Sequence, residues 1–257
     1  MQAAISQAHK DEITVEWQGR VPSDLDPNNS MDRTRIELKS MLIKQRVLVY
    51  PNQSGAILIH KPGFGENKEG YKFKYQTLAE RVQQNLGAAI LMGNQEVDYH
   101  NYHETHLGDL KAVIDYALSN AKKICGRNNP ALYLMGFSAG ASSVAGVAHL
   151  YPQVDRILLM GPTVAYGLDH ETRAGIEQFT GKVFLAAGEH DRYKGLGIQV
   201  YRALTQAKEI EKVIVPDCDH YFRGATNDMI YSNAPFWAFT ENTRVLSPEN
   251  GIRLVKK

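Results

Sequence analysis

The chain reads LYLMGFSAGASSVAGVAHL from residue 132 to residue 150, and this stretch is the most informative part of the sequence about the fold. A short apolar run leads into the pattern Gly-x-Ser-x-Gly, made by Gly136, Ser138 and Gly140, and a run of small residues follows at once. The spacing predicts a buried strand, a strained turn at the serine and a helix that starts directly after it. Side chains at the two glycine positions would collide with the neighbouring strand and helix. The turn exposes the serine hydroxyl where backbone N–H groups and the helix dipole face an anion.

Short apolar runs and amphipathic stretches alternate along the chain on either side of this turn. The stretches 75–86 and 107–118 place aliphatic residues on one stripe at helical spacing. The apolar runs lack period-two alternation, which is typical of strands covered on both faces. These runs are residues 47–50, 56–60, 88–92, 131–135, 156–160, 182–186 and 212–215. We therefore predict an α/β fold, a doubly wound, mostly parallel sheet with helices on both faces and no large cap domain. The first two runs flank a turn-like segment and predict a hairpin at an antiparallel edge.

The domain organisation follows from the same pattern. No internal repeat or low-complexity tract interrupts residues 1–257, so we expect a single domain. Residues 1–40 are polar and are broken by Pro22 and Pro27, which predicts a polar N-terminal extension.

Composition argues against several classes of partner. The chain has 29 Lys+Arg and 28 Asp+Glu, and a formal net charge of +1 is no electrostatic footprint for nucleic acid or an anionic membrane. Cys125 and Cys218 fit neither a disulfide framework nor a zinc spacing. No apolar run approaches the roughly 20 residues of a membrane helix, and the first ten residues lack the apolar core of a signal peptide. We expect a cytoplasmic protein with no metal or cofactor.

Two later strands are followed by loops that carry an acid and a histidine. Asp191 comes soon after the run at 182–186, and His220 comes soon after the run at 212–215. Around a turn of this kind the nucleophile, the acid and the base follow one another in that order along the chain. We predict that Ser138 is the nucleophile, that His220 moves its proton and that Asp191 orients the imidazole.

Neighbouring side chains leave alternatives open for the acid and the base. Glu189 and Asp217 are local competitors for the acid, and His190 is a competitor for the base. Asp217 and Asp219 also suit a turn ahead of the histidine.

The chain resembles the α/β-hydrolase superfamily, and it looks most like the compact dienelactone-hydrolase-like members. The resemblance covers roughly residues 47–222 and is carried by the segment 136–140, by GEHD at 188–191 and by DHYFRG at 219–224. Enzymes named for dienelactone hydrolysis use a cysteine nucleophile, whereas position 138 here is serine. The resemblance therefore implies a serine esterase rather than that specific activity.

The same resemblance implies an oxyanion hole. Many relatives carry His-Gly-x after the strand that ends here at His60, and the N–H after that glycine contributes to the hole. This chain reads HKPGFG at 60–65, as if Lys-Pro were inserted. If Gly63 matches the family glycine, the donors are the backbone N–H groups of Phe64 and Ala139; a turn with no contact to the site is the alternative.

The surroundings of the site are less determined. Only about twenty residues separate the runs ending at 160 and starting at 182, which is room for one helix near 170–179. The tail 225–257 departs from the single closing helix of the family and leaves two possibilities, covering the pocket or covering the sheet edge. The candidate lining residues lie on loops at predicted strand ends: Tyr99, Tyr102, Tyr166, Tyr193, Tyr221 and Phe222.

Three histidines at spacing three, His100, His103 and His106, are a tempting metal site because imidazole binds zinc, copper and nickel. On a helix this spacing spreads the side chains over about 120° and prevents them from converging. We interpret the segment as a solvated loop that leads into the helix at 107–118.

The predicted activity is hydrolysis of a carboxylic ester or thioester of a small-molecule acyl substrate through an acyl-enzyme. Peptidase, amidase or acyltransferase activity on the same three residues is an alternative, because specificity lies in pocket loops. A catalytically silent binding module that kept the fold is the alternative from another class.

Overall fold

The computed structural model describes residues 9–22, 38–93, 103–164, 170–241 and 253–256. The strands are β1 (Asp11–Pro22), β2 (Leu38–Tyr50), β3 (Ala56–Lys61), β4 (Ala88–Met92), β5 (Ala131–Phe137), β6 (Arg156–Met160), β7 (Lys182–Gly188), β8 (Glu209–Val215) and β9 (Arg253–Lys256). The helices are α1 (Lys74–Asn85), α2 (His103–Ser119), α3 (Ala121–Cys125), α4 (Ala139–Val147), α5 (His170–Gln178), α6 (Lys194–Ala203) and α7 (Ala225–Thr240). Short 3₁₀ turns precede α1 and follow α4.

The described strands form one sheet in the order β1-β2-β4-β3-β5-β6-β7-β8-β9. All pairs from β4 to β8 are parallel, while β1 and β2 at one edge and β9 at the other pair antiparallel. Helices α1 and α7 cover one face, and α2, α4, α5 and α6 cover the other. The predicted doubly wound, mostly parallel sheet is confirmed. The long apolar runs follow from burial on both faces, since β3 and β4 are buried at every position.

The predicted hairpin between residues 47–50 and 56–60 is wrong. Strand β4 lies between β2 and β3, pairing antiparallel with the first and parallel with the second. The connecting loop makes its backbone hydrogen bonds elsewhere: Asn52 N–H donates to Ile124 O at 3.0 Å and Gly55 N–H to Cys125 O at 2.9 Å. These two bonds hold the loop on the end of α3. The chain thus passes from β2 to β3 without pairing them, and β4 occupies the position between them.

Part of the segment predicted as a polar extension belongs to the sheet. Strand β1 pairs with β2 along its whole length, from Asp11 opposite Val49 to Pro22 opposite Leu38. Its alternation of apolar Ile13, Val15 and Trp17 with polar residues is a period-two signal for a strand with one covered face. The antiparallel hairpin at this edge of the sheet is thus formed by β1 and β2.

The carboxyl ends of β3, β5, β6, β7 and β8 all meet at one edge of the sheet because these strands are parallel. Between β6 and β7 the described residues form α5 alone, so that part of the chain carries no cap domain. Helix α7 buries Tyr231 and Trp237 against the sheet, and β9 covers the edge of β8. Among the described helices, none is long and apolar enough to cross a membrane.

Candidate active site

The serine lies on a strained turn between β5 and α4. Its φ of 54° and ψ of −121° are rare for a residue with a side chain. Backbone hydrogen bonds hold the turn, with Ser138 N–H donating to Met160 O at 2.9 Å and Ala141 N–H to Ser138 O at 3.1 Å. A Cβ on Gly136 would lie 2.4 Å from Gly140 O, and one on Gly140 would lie 2.3 Å from Pro62 O. Both glycines are therefore required by the close backbone approach, as predicted.

Ser138, His220 and Asp191 form a continuous hydrogen-bonded chain. Ser138 Oγ lies 2.9 Å from His220 Nε2, and His220 Nδ1 lies 2.9 Å from Asp191 Oδ2. With Nδ1–H donating to the carboxylate, Nε2 is left as the acceptor for the serine proton. His220 and Asp191 are 3% and 2% exposed, so a proton transfer from Ser138 to His220 is shielded from bulk water. The arrangement can take a proton from the serine hydroxyl and return it to a leaving group.

The local chain holds both partners. Asp191 also accepts a 2.7 Å bond from Tyr193 N–H at the start of α6, which orients the carboxylate. Around the histidine, Asp219 accepts backbone N–H bonds from Tyr221 at 3.0 Å and Arg223 at 3.2 Å. Partial burial is the largest single influence on the pKa of Asp219 and raises it. The hydrogen bonds from the two backbone N–H groups and from the Arg223 side chain together outweigh burial, so the pKa of Asp219 is lowered. Asp219 therefore shapes the loop that presents His220 and does not contact the imidazole.

The remaining alternatives lie together outside the hydrogen-bonded chain. Glu189 Oε2 accepts Asp217 N–H at 3.3 Å, and His190 Nε2 lies 3.6 Å from Asp217 Oδ1. Possible metal-ligand atoms of Glu189, His190 and Asp217 lie within 4.8 Å of one another, but all three residues are exposed. Exposed acidic groups commonly cluster without an ion, so this group carries no metal assignment. Of the histidine triplet, His100 lies outside the described residues, and His103 and His106 lie in the first turn of α2.

The loop after β3 approaches the serine. A Cβ on Gly63 would lie 3.0 Å from Ser138 Cβ, so a side chain at this position would require Ser138 or the loop to shift by a few tenths of an ångström. Phe64 follows and is 44% exposed, while Ala139 is buried in the first position of α4. The loop 62–65 thus lies beside Ser138, and the roles of Phe64 and Ala139 as oxyanion donors stay a prediction.

A residue missed by the sequence reasoning contacts the nucleophile. Thr163 is buried, its Oγ1 lies 3.3 Å from Ser138 Oγ, and its N–H donates to Ser138 O at 3.2 Å. It follows Gly161 and Pro162 directly after β6. Its place at the carboxyl end of a parallel strand is a signal that could have identified it.

Aromatic rings surround the imidazole. Ring centroids of Tyr193, Tyr221 and Phe137 lie 4.7, 5.2 and 5.3 Å from that of His220. Two predicted lining residues, Tyr193 and Tyr221, thus lie at the site, whereas Phe222 is fully buried and packs on Tyr231. Tyr99, Tyr102 and Tyr166 lie outside the described residues.

Two further features adjoin the triad. A cavity of about 300 Å³ lies on the other side of Asp191, between α6 and strands β7 and β8. On the opposite face, His60 Nε2 lies 2.8 Å from the Tyr231 hydroxyl, and burial, with a smaller effect of Lys74, lowers the pKa of His60 to about 3. His60 is therefore a neutral structural residue at the base of the loop 62–65.

The chain's sequence matches no protein-family model and no curated protein. Its structure is similar to the esterase domain of a Rhodothermus marinus protein, with a TM-score of 0.58 and 12% identity over 88% of this chain and 95% of that one. It is similar to dienelactone hydrolase from Anabaena variabilis, with a TM-score of 0.59 and 16% identity over 88% and 98%. It is also similar to ferulic acid-bound Est1E from Butyrivibrio proteoclasticus, with a TM-score of 0.56 and 17% identity over 75% and 92%. At these identities the likeness shows the α/β-hydrolase fold.

Proposed function

We propose that the protein is a serine hydrolase that cleaves a carboxylic ester or thioester of a small acyl substrate through an acyl-enzyme. The observation that carries the proposal is the pair of 2.9 Å contacts that join Ser138, His220 and Asp191. A serine hydroxyl is a weak nucleophile at its ordinary pKa, and an adjacent oriented base activates it. The similar structures include an esterase domain and a dienelactone hydrolase, which supports ester chemistry on this fold.

The reaction follows from the order in which the three side chains are linked by hydrogen bonds. Ser138 Oγ attacks the acyl carbon while its proton passes to His220 Nε2, and Asp191 stabilises the imidazolium that forms. The carbonyl oxygen becomes an oxyanion that accepts hydrogen bonds from the N–H groups of Phe64 and Ala139. Each such donor contributes about 2.7–4 kcal/mol of transition-state stabilisation. The tetrahedral intermediate collapses, His220 protonates the leaving alcohol or thiol, and water repeats the sequence to release the acid.

Covalent labelling by a fluorophosphonate, followed by intact mass, tests the proposal directly. The wild type should gain one adduct, Ser138→Ala should gain none, and His220→Ala should react far more slowly because its serine lacks a base. Ser142→Ala is the matched control, since Ser142 is a buried serine one turn later in α4 that donates to Ala139 O. It should label like the wild type.

The outcomes separate the possible functions. A folded wild type that gains no adduct would overturn the serine-hydrolase proposal and favour a binding role. A wild type that labels can then be compared on short-chain esters, thioesters and amides, where faster turnover of the amides would replace esterase by amidase.

A further inference from the structure

Lys74 places a buried ammonium group beside the proposed catalytic residues. It is the first residue of α1 and is 7% exposed, although it ends a polar stretch, ENKEGYKFK at 66–74. The preceding Lys72 and Phe73 adopt φ values of 51° and 61°, a left-handed conformation that is unfavourable for residues with a side chain. The strained turn leaves the Tyr71 and Phe73 side chains exposed and the Lys74 side chain inside.

The ammonium group has an unusual set of partners. Lys74 Nζ donates to Tyr221 O at 2.8 Å and lies 4.3 Å from the Tyr231 ring, 5.2 Å from Phe137 and 5.4 Å from Tyr75. Within the described part of the chain, no carboxylate oxygen lies within the 4.0 Å of an ion pair. The attraction between a desolvated cation and aromatic faces offsets part of the cost of its burial.

Two of these partners adjoin the triad along the chain. Tyr221 immediately follows His220, and Phe137 immediately precedes Ser138. The rings of Phe137 and Tyr221 also contact the imidazole of His220. One ammonium group therefore contacts both segments whose separation determines the 2.9 Å distance from Ser138 Oγ to His220 Nε2.

We propose that Lys74, in its charged form, is a positioning residue that holds the histidine loop against the nucleophile turn. This inference rests on the proposed serine-hydrolase function. Lys74 acts through the Tyr221 carbonyl and the Phe137 ring and does not contact the reacting atoms. A displacement of reacting groups by about 1 Å can cost on the order of 100-fold in rate, so a loop anchored by one charged hydrogen bond is sensitive to its loss.

The charge of Lys74 supplies a readout that a purely structural side chain would not move. Burial lowers the pKa of Lys74 below its ordinary value of 10.5. The ionisable groups facing it are Glu66, Asp219, Asp228, Cys218, His60, Tyr75 and Tyr231. Burial lowers the pKa of His60 to about 3 and raises that of Cys218 to about 12, and it also raises the pKa of Tyr75 and Tyr231. Lys74 is therefore the member of this group whose pKa starts in the alkaline range and is lowered by burial.

The experiment compares fluorophosphonate labelling rates of the wild type, Lys74→Met, Lys74→Arg and Lys72→Met between about pH 6 and about pH 10.5. Lys72→Met is the matched control, because Lys72 is exposed in the same turn. Lys74→Met should lose between about tenfold and about a hundredfold in rate at neutral pH. The control should stay within about twofold. The wild-type rate should fall at alkaline pH as Lys74 loses its charge, and Lys74→Arg should lack this fall because arginine stays charged.

The results separate this inference from the function on which it rests. A wild type without an adduct overturns both. A labelled wild type together with a folded Lys74→Met that reacts within about twofold of it overturns the positioning role alone. If Lys74→Met does not fold, the pH profiles decide: the same alkaline fall in the wild type and in Lys74→Arg also overturns it.

Discussion

The two faces of the central sheet bury different chemistry. Under α2, α4, α5 and α6 the buried core of the described residues is mostly aliphatic; Phe179 is its one buried aromatic residue, and three partly buried tyrosines pack against its rim. Under α1 and α7 the core contains eight aromatic residues: Tyr50, Tyr75, Phe137, Phe184, Phe222, Tyr231, Trp237 and Phe239. Tyrosine hydroxyls form hydrogen bonds with buried polar groups, and aromatic π faces attract buried cations, whereas aliphatic side chains do neither. The aromatic face is also the face that contacts His220, through Phe137.

Two buried lysines show what the difference means. Lys61, 4% exposed, lies 3.6 Å from Asp109 of α2, which also accepts Trp17 Nε1–H of β1 at 3.1 Å. Lys74 instead donates to a backbone carbonyl of the histidine loop. The first lysine joins a helix and two strands through a charge pair, and the second holds a loop. We therefore expect Lys61 to matter for stability and Lys74 for reactivity.

The largest expected effect in this comparison is that of Lys61→Met on stability. Removing the cationic partner of a buried ion pair typically costs about 3–5 kcal/mol. Urea unfolding measures the loss, with Lys44→Met as the control. Lys44 lies 2.8 Å from Glu16 in an exposed pair, which is worth about 0–1 kcal/mol. A Lys61→Met protein with wild-type stability, or with a larger loss of labelling than Lys74→Met, would break the comparison.

Leu132→Ala on the aliphatic face should lower stability and leave reactivity alone. Leu132 is fully buried in β5, six residues before Ser138, which is about 20 Å along an extended strand. The cavity should cost about 2–5 kcal/mol in the free energy of unfolding. Labelling below the unfolding transition should match the wild type. A rate that falls along with stability would mean that the aliphatic face also positions the triad.

Acid should destabilise the protein through His60 of the aromatic face. Its pKa is about 3 in the folded state against 6.5 in the unfolded chain, so the unfolded state binds a proton that the folded state excludes. The contribution is fully present above pH 6.5 and is lost as the pH falls toward 3. At about 1.4 kcal/mol per pH unit, roughly 2 kcal/mol should disappear by about pH 5. In urea unfolding, the free energy of unfolding of His60→Gln should fall less than that of the wild type as the pH is lowered. The control His190→Asn, at an exposed histidine, should lose as much stability as the wild type.

The smallest expected effect belongs to Thr163→Val. Its hydroxyl lies 3.3 Å from Ser138 Oγ, and losing one hydrogen bond of about 0.5–1.5 kcal/mol should slow labelling by about two- to tenfold. Thr163→Ser retains the hydroxyl and should stay near the wild type. Equal rates for the valine and serine variants would show that this contact does not orient the nucleophile.

Sequence reasoning was most effective where the chemistry is local. The Gly-x-Ser-x-Gly turn at residues 136–140 needs its glycines because a side chain at either position would collide with neighbouring backbone. The structure shows both close approaches. Asp191 and His220 could be predicted because parallel strands bring their following loops to one edge. Strand β1 was missed although its alternation was visible, and the hairpin between β2 and β3 was misplaced because neighbours in sequence are not always neighbours in a sheet.

Lys74 could not be identified from the sequence for a different reason. Lys74 lies in a charged segment that is typical of a solvated loop, and nothing in its neighbours along the chain indicates burial. Its partners Phe137, Tyr221 and Tyr231 are all more than sixty residues away in sequence.

The strand–helix alternation, the strained serine turn and the order of Ser138, Asp191 and His220 along the chain could be predicted from the sequence alone. These depend on local sterics and on the hydrophobic period, which act between residues close along the chain. Only the tertiary structure decided which carboxylate meets His220, which face is aromatic and where the two buried lysines find partners. Those outcomes depend on burial and on contacts between distant segments, because the energy of a charge is set by what surrounds it.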